Sequence, residues 1–232
     1  GFLLENVAGK SLQKIIQSHI LDPLGMSSTH AVITQDSWRD MAIGYRPFYD
    51  DRPPHHSHPR RPIPWHEYGA GDGPVASTPK DMAKYVRMIL NRGRGPTDEI
   101  VSEKAFDLMT QKVVLEYDQT YRGYNLRVSD VDLQMTGSPS DLPERVAPSN
   151  RTIKGPGYIG YGGDALGYVS AILADMNLGI GAAVMMNSYG GSHGYVVPHD
   201  IARFCLSVLF AAMNDQELPP IPSIDSPTKV EN

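Results

Sequence analysis

Gly190-Gly191-Ser192-His193-Gly194 has the Gly-x-Ser-x-Gly spacing in which a sharp strand-to-helix turn presents a nucleophilic serine. Such a serine is activated by an acid and a histidine that follow it in the chain. After Ser192 come only His193 and His199, and no histidine follows Asp200, so this order is not met. Ser192 and His193 are retained as candidate substrate contacts on a loop at the rim of a sheet. Three Ser-x-x-Lys strings, Ser11/Lys14, Ser77/Lys80 and Ser226/Lys229, offer a hydroxyl with an amine as its base. Each has a plainer reading. Ser11 suits a helix N-cap, Ser77 directly precedes the Thr78-Pro79 start of a helix, and Ser226 lies in a proline-rich tail. His55, His56, His58 and His66 sit among prolines without an acidic or cysteine partner at metal-ligand spacing, so they read as a solvated loop. No metal and no cofactor is expected. Gly162 and Gly163 leave one stretch of strand without side chains, which would allow a substrate to approach its backbone closely.

The elements that must position these residues follow from periodicity and punctuation. The 232 residues are 41% apolar and 20% charged, enough to bury a sizeable core. The net charge of -5 argues against a general nucleic-acid partner. The lone Cys205 excludes an internal disulfide, and no apolar run reaches the 18 residues expected of a membrane span. Localisation is left undetermined. Residues 2–8 predict a helix closed by Gly9, and Ser11 opens a second one running to the Pro23-Leu24-Gly25-Met26 turn. Residues 30–75 lack periodicity and predict long loops, within which Glu67, Tyr68 and Asp72 are candidate binding residues.

Thr78-Pro79-Lys80-Asp81 predicts a helix start, with Met82, Tyr85, Val86, Ile89 and Leu90 as the buried face and Asn91-Arg92-Gly93 as the stop. Residues 101–111 predict a short helix, 112–135 weak strands, and 136–157 a loop. Residues 157–163, 168–175 and 180–187 predict an antiparallel meander with a tight turn at Met176-Asn177-Leu178-Gly179. Pro198 predicts the start of a last helix, with Ile201, Ala202, Cys205, Val208, Leu209 and Ala212 on its packing face. These elements predict one domain over residues 1–213 and a proline-rich tail over 214–232.

Three segments, in order, resemble the penicillin-recognising serine hydrolases, the group that includes class C β-lactamases, D-alanyl-D-alanine carboxypeptidases and related esterases. Gly1-Phe2-Leu3-Leu4, Gly9-Lys10-Ser11 and Pro23-Leu24-Gly25-Met26 look like the family's helix pair. Gly73-Pro74-Val75-Ala76-Ser77-Thr78-Pro79-Lys80-Asp81 is similar to its Ser-Thr-x-x-Asp segment. Gly160-Tyr161-Gly162-Gly163-Asp164-Ala165-Leu166-Gly167-Tyr168 resembles its Gly-His-x-Gly strand and turn. The resemblance spans roughly residues 1–213. It implies an α/β (α+β) fold: an antiparallel sheet flanked by helices, with a helical and loop subdomain beside it.

The same resemblance implies an acyl-enzyme mechanism on an ester or amide substrate. The family's Ser-x-x-Lys nucleophile and Tyr-x-Asn element precede the helix that here begins at Gly1, so both belong to an N-terminal segment outside this chain. The third catalytic element falls on Tyr161, Gly162 and Gly163, and the backbone N–H of Asp164 would be one of two oxyanion donors. Tyr161 departs from the family, which has lysine or histidine there. A neutral phenol weakens the case for a substrate carboxylate and favours esters or amides. A catalytically inactive relative that keeps the fold for binding or scaffolding is the alternative.

Overall fold

The computed structural model describes residues 1–49, 51–52, 57–63, 71, 73, 75–117, 120–124, 126–130, 156–165, 167–188 and 196–221. Short helices open the chain, delimited by their caps. Helix α1 (Phe2–Ala8) ends at Gly9, whose φ of 62° is the left-handed conformation a glycine adopts without a Cβ clash. Ser11 then caps α2 (Leu12–Ile16) by accepting the Lys14 N–H, while the Glu5 carboxylate of α1 accepts the Leu12 N–H at 2.8 Å. The predicted second helix is interrupted: a π-helical turn, Gln17–Leu21, carries the chain into α3 (Asp22–Leu24), which closes at Gly25. In α1, no residue is buried; Phe2 is 90% and Val7 80% exposed, so the apolar pattern that marks the helix is turned to the surface.

The 30–75 region is more ordered than its lack of periodicity suggests. Thr34 caps α4 (Gln35–Trp38) in a reciprocal capping box with Ser37. Strands β1 (Tyr45–Pro47) and β2 (Arg60–Pro62) then pair antiparallel. The hairpin is joined to the main sheet where the Tyr45 N–H donates to the Asn187 carbonyl and the Arg60 guanidinium to the Ser188 hydroxyl. The hairpin leaves no periodic signal in the sequence because its strands are three residues long and each contains a proline.

Helix α5 (Pro79–Leu90) begins at the predicted cap, with the Thr78 hydroxyl accepting the Asp81 N–H at 3.2 Å. Its buried side includes Val86 and Ile89 as expected, together with Met88 and the carboxylate of Asp81, which were not foreseen. Helix α6 (Glu103–Met109) follows, then a six-stranded antiparallel sheet in sequential order: β3 (Val114–Tyr117), β4 (Thr120–Arg122), β5 (Arg127–Ser129), β6 (Tyr158–Ala165), β7 (Tyr168–Asp175) and β8 (Ile180–Met186). The tight β7–β8 connection is held by Asp175, whose carboxylate accepts the N–H groups of Asn177 and Leu178, both at 2.9 Å.

Successive side chains alternate across the sheet, which gives it two covered faces. One packs on α5, with Ile159, Ala174, Met88, Ile89 and Phe106 in a common core. The other packs on α7 (Val196–Met213), through Leu173, Ile180, Ala202 and Leu206. Helix α7 starts two residues before the predicted Pro198. Its packing face is also rotated from the predicted one. Ala202 is buried as expected, but His199, Arg203, Leu206 and Ala211 are buried beside it, whereas Ile201 and Leu209 are 39% and 41% exposed. The helix is apolar on most sides, so the period of its sequence did not select one stripe.

Glycine is required where α5 meets the sheet. A Cβ on Gly181 would run into the Val86 side chain. Gly181→Val is therefore expected to destabilise the protein by about 1–3 kcal/mol through overpacking, read as a lower urea midpoint with an unchanged slope. No helix or strand is present from Asn214 to Ile221, and the rest of the predicted tail, including Ser226 and Lys229, lies outside the described residues.

Candidate active site

The ladder around β6 leaves a gap. Strand β5 pairs with β6 only over Arg127–Ser129 against Tyr158–Gly160, whereas β6 continues beside β7 as far as Ala165. The Met176 N–H donates to the Gly157 carbonyl at 2.7 Å, which sets the alternation of the antiparallel ladder. Odd residues of β6 direct their backbone groups to β7. Even residues direct theirs to the β5 side. The N–H groups of Gly162 and Asp164 therefore project from the edge of β6 beyond the end of β5, where no described strand pairs with them. This is the geometry an oxyanion donor needs: a fixed backbone dipole at an open edge, outside the ladder.

The faces sort the candidate residues. Tyr161 is 36% exposed and lies on the α5 face of β6 with Gly163, opposite Ile172 and Ser170 of β7. Gly162 and Asp164 turn toward the α7 face. A Cβ on Gly162 would lie 2.5 Å from His199 Cε1, so the packing of α7 requires glycine there. A Cβ on Gly163 would meet Ser170 Oγ at 3.1 Å, a milder constraint. At the end of the β6–β7 hairpin, the Tyr168 hydroxyl donates to the Ala42 carbonyl at 2.6 Å, and burial pushes its pKa up, so the phenol remains a donor. Gly167 there abuts Tyr45 and Ile63, so the β1–β2 hairpin lies at the same end of the sheet as Asp164.

Tyr68, Ser192 and His193 lie outside the described residues, as do Glu67, Asp72, His55, His56 and His66. The Gly190–Gly194 elbow lies there too, so only Tyr161, Gly162, Gly163 and Asp164 of the candidate site are brought together in the described structure. Among the described residues no cluster of three histidine, cysteine or acidic side chains is placed to hold a metal ion. No helix among them is long and apolar enough to cross a membrane.

Two Ser-x-x-Lys strings are engaged as their plainer readings predict. Ser11 caps α2. Ser77 Oγ is 2.8 Å from Thr29 Oγ1 in a network centred on Asp81. The Asp81 carboxylate accepts the Ser28 N–H at 2.8 Å and the Thr29 hydroxyl at 2.9 Å, and pairs with Lys84 Nζ at 2.9 Å. Lys84 also donates to the Gly25 carbonyl. Burial opposes the charge on Asp81, but Lys84, the Ser28 N–H and Thr29 outweigh it and hold the carboxyl below its ordinary pKa. The Ser-Thr-x-x-Asp segment is thus a fastening of the 25–29 turn to the start of α5. A second fastening holds β3, β4 and β5 together. Glu116 bridges Arg122 and Arg127, which face each other across β4 and β5, and the two guanidiniums keep its pKa low against the effect of burial.

Comparison with known proteins agrees with this architecture. The model of the family described as Beta-lactamase matches residues 1–204. The octameric penicillin-binding protein homologue from Pyrococcus abyssi superposes with a TM-score of 0.64 at 23% identity, over 94% of this chain and 41% of that one. A D-stereospecific amidohydrolase from Streptomyces sp. gives 0.60 at 19% identity, over 88% and 52%. The penicillin binding protein from Bacillus halodurans gives 0.60 at 16%, over 87% and 52%. At these identities the structural likeness is one of fold, and the chain spans about half or less of each of those proteins. No curated protein matches the chain.

Proposed function

The chain belongs to the β-lactamase family, and from that premise we propose that it forms the sheet wall and one oxyanion donor of a serine hydrolase acting on an ester or amide. The nucleophile in this reading is an upstream Ser-x-x-Lys serine, supplied by an N-terminal segment that is this chain's partner within the same protein. Its Oγ attacks the substrate carbonyl carbon and passes its proton to the lysine amine. The tetrahedral oxyanion is held by the Asp164 N–H and by the backbone N–H of the serine itself. Collapse breaks the bond to the alcohol or amine, which leaves with a proton, and water then cleaves the acyl-serine to the free acid. The substrate is a small molecule, and none of these steps uses a cofactor.

The observation that carries the reading is the projection of the Asp164 N–H past the end of β5, beside two glycines. The fold shared with a D-stereospecific amidohydrolase supports an amide as readily as an ester. Tyr161 supports a substrate without a carboxylate at that point, because a phenol supplies a hydrogen bond and no positive charge. The same residue favours a second reading, a non-catalytic relative that uses the fold for binding.

Hydrolysis of p-nitrophenyl acetate separates the two. The full-length protein is expected to show a burst of p-nitrophenol that is lost when the upstream serine is replaced by alanine. Residues 1–232 alone are expected to show none. A full-length protein without turnover would favour the binding reading, and turnover by residues 1–232 that is lost on Ser192→Ala would establish the elbow instead.

A further inference from the structure

Strand β6 is least supported where it is proposed to act. Beyond Gly160 it has lost β5 on one edge, and two consecutive glycines remove the side chains that would otherwise fix it by packing. The ladder to β7 restrains the strand within the plane of the sheet. It does little against displacement perpendicular to that plane, the direction that would move the Asp164 N–H away from a developing oxyanion. On the α7 face the space below Gly162 is filled by His199. The ring's Cε1 and Nε2 lie 2.5 Å and 3.0 Å from where a Cβ at 162 would be. His199 is 5% exposed and sits in a buried part of α7 between Pro198 and Ala202, with Arg203, also buried, tied to Asp200 at 3.2 Å. The imidazole is therefore a rigid support, seated directly beneath the bare backbone two residues before Asp164.

We propose that His199 is a positioning residue for the reaction: through van der Waals contact with Gly162 it fixes the height of β6 and so the aim of the Asp164 N–H. The inference rests on the acyl-transfer reading. It accounts for the glycine at 162 without substrate contact and assigns a role to a histidine on the face of the sheet opposite Tyr161. The contribution belongs to the transition state, where a small misplacement of a donor is costly, and so falls on kcat more than on KM.

The test is a compensation cycle in the full-length protein with p-nitrophenyl acetate. Gly162→Ala pushes the strand off the ring and is expected to lower kcat at least tenfold with KM within about twofold. His199→Ala removes the support and is expected to lower kcat at least fivefold, also at similar KM. In the double variant the new methyl enters the vacated space, so kcat should rise at least fivefold above that of Gly162→Ala alone. A double variant no faster than Gly162→Ala would overturn the proposal. Should Gly162→Ala fail to fold, His199→Ala and His199→Asn decide the matter: a fall in kcat at unchanged KM and melting temperature supports the role, and an unchanged kcat overturns it. A wild-type protein that forms no acyl-enzyme would remove the acyl-transfer reading itself, and the proposal with it. That result differs from an active wild type whose His199 variants keep their kcat.

Discussion

Asp164→Pro in the full-length protein is expected to lower kcat for ester hydrolysis by about 10²–10³, the usual effect of deleting one oxyanion donor. The alternation of the ladder directs the Asp164 N–H away from β7, so proline removes the donor without removing a strand hydrogen bond. Proline is compatible with such an edge position, and the residue before it, Gly163, is already in a strand, the conformation proline favours for its predecessor. Asp164→Ala separates the backbone from the carboxylate, because it deletes the side chain and keeps the N–H. It is expected to lose far less activity than the proline variant. Equal losses in the two would assign the role to the carboxylate and remove the oxyanion donor from the account.

Asp81→Ala is expected to cost about 1–3 kcal/mol of stability, the range for leaving buried hydrogen-bond donors without their acceptor. The carboxylate gathers the Ser28 N–H, the Thr29 hydroxyl and the Lys84 ammonium within 2.9 Å, and its side chain is 3% exposed. Without it, a backbone donor and a hydroxyl lose their acceptor and the 25–29 turn loses its anchor on α5. The pH dependence has a definite sign. The folded pKa of Asp81 lies below the unfolded value of about 3.9, so the stabilisation is present above that value and is lost as pH falls through the folded pKa. The stability difference between the two proteins, read from urea melts, should therefore narrow as pH falls from about 7 to about 3. A constant difference across that range would contradict the assignment of the effect to the charge.

Local signals in the sequence were sufficient for local structure. Thr78-Pro79 marked the start of α5, Gly9 and Gly25 the ends of helices, and Met176 to Gly179 the turn of the β7–β8 hairpin. The candidate site residues Tyr161 to Asp164 stand out through the sequence pattern around them, but the reason for their placement was not legible. That reason is where β5 stops relative to β6, a register between strands that are separated in the sequence by the loop-like stretch beginning at residue 136. The partners of Asp81 were likewise hidden, because Ser28 and Thr29 lie more than 50 residues away and are ordinary turn residues in the sequence. The two glycines at 162 and 163 suggest close substrate approach, but the second constraint on Gly162, the His199 ring packed against it from α7, was not legible because His199 belongs to a different element of the chain. On α7 the apolar composition was read correctly as helix and incorrectly as to face, since the stripe beneath the sheet includes His199 and Arg203.

In the proposed reaction residues 1–232 hold the oxyanion while an upstream serine carries the acyl group. Acid quenching of the full-length protein during p-nitrophenyl acetate turnover, followed by peptide mapping by mass spectrometry, locates that group directly. One acetyl ester is expected, on a serine of a Ser-x-x-Lys element upstream of Gly1, reduced in amount by Asp164→Pro. An acetyl group on Ser192 or on any other residue of this chain, or turnover with no acyl-serine at all, would contradict it.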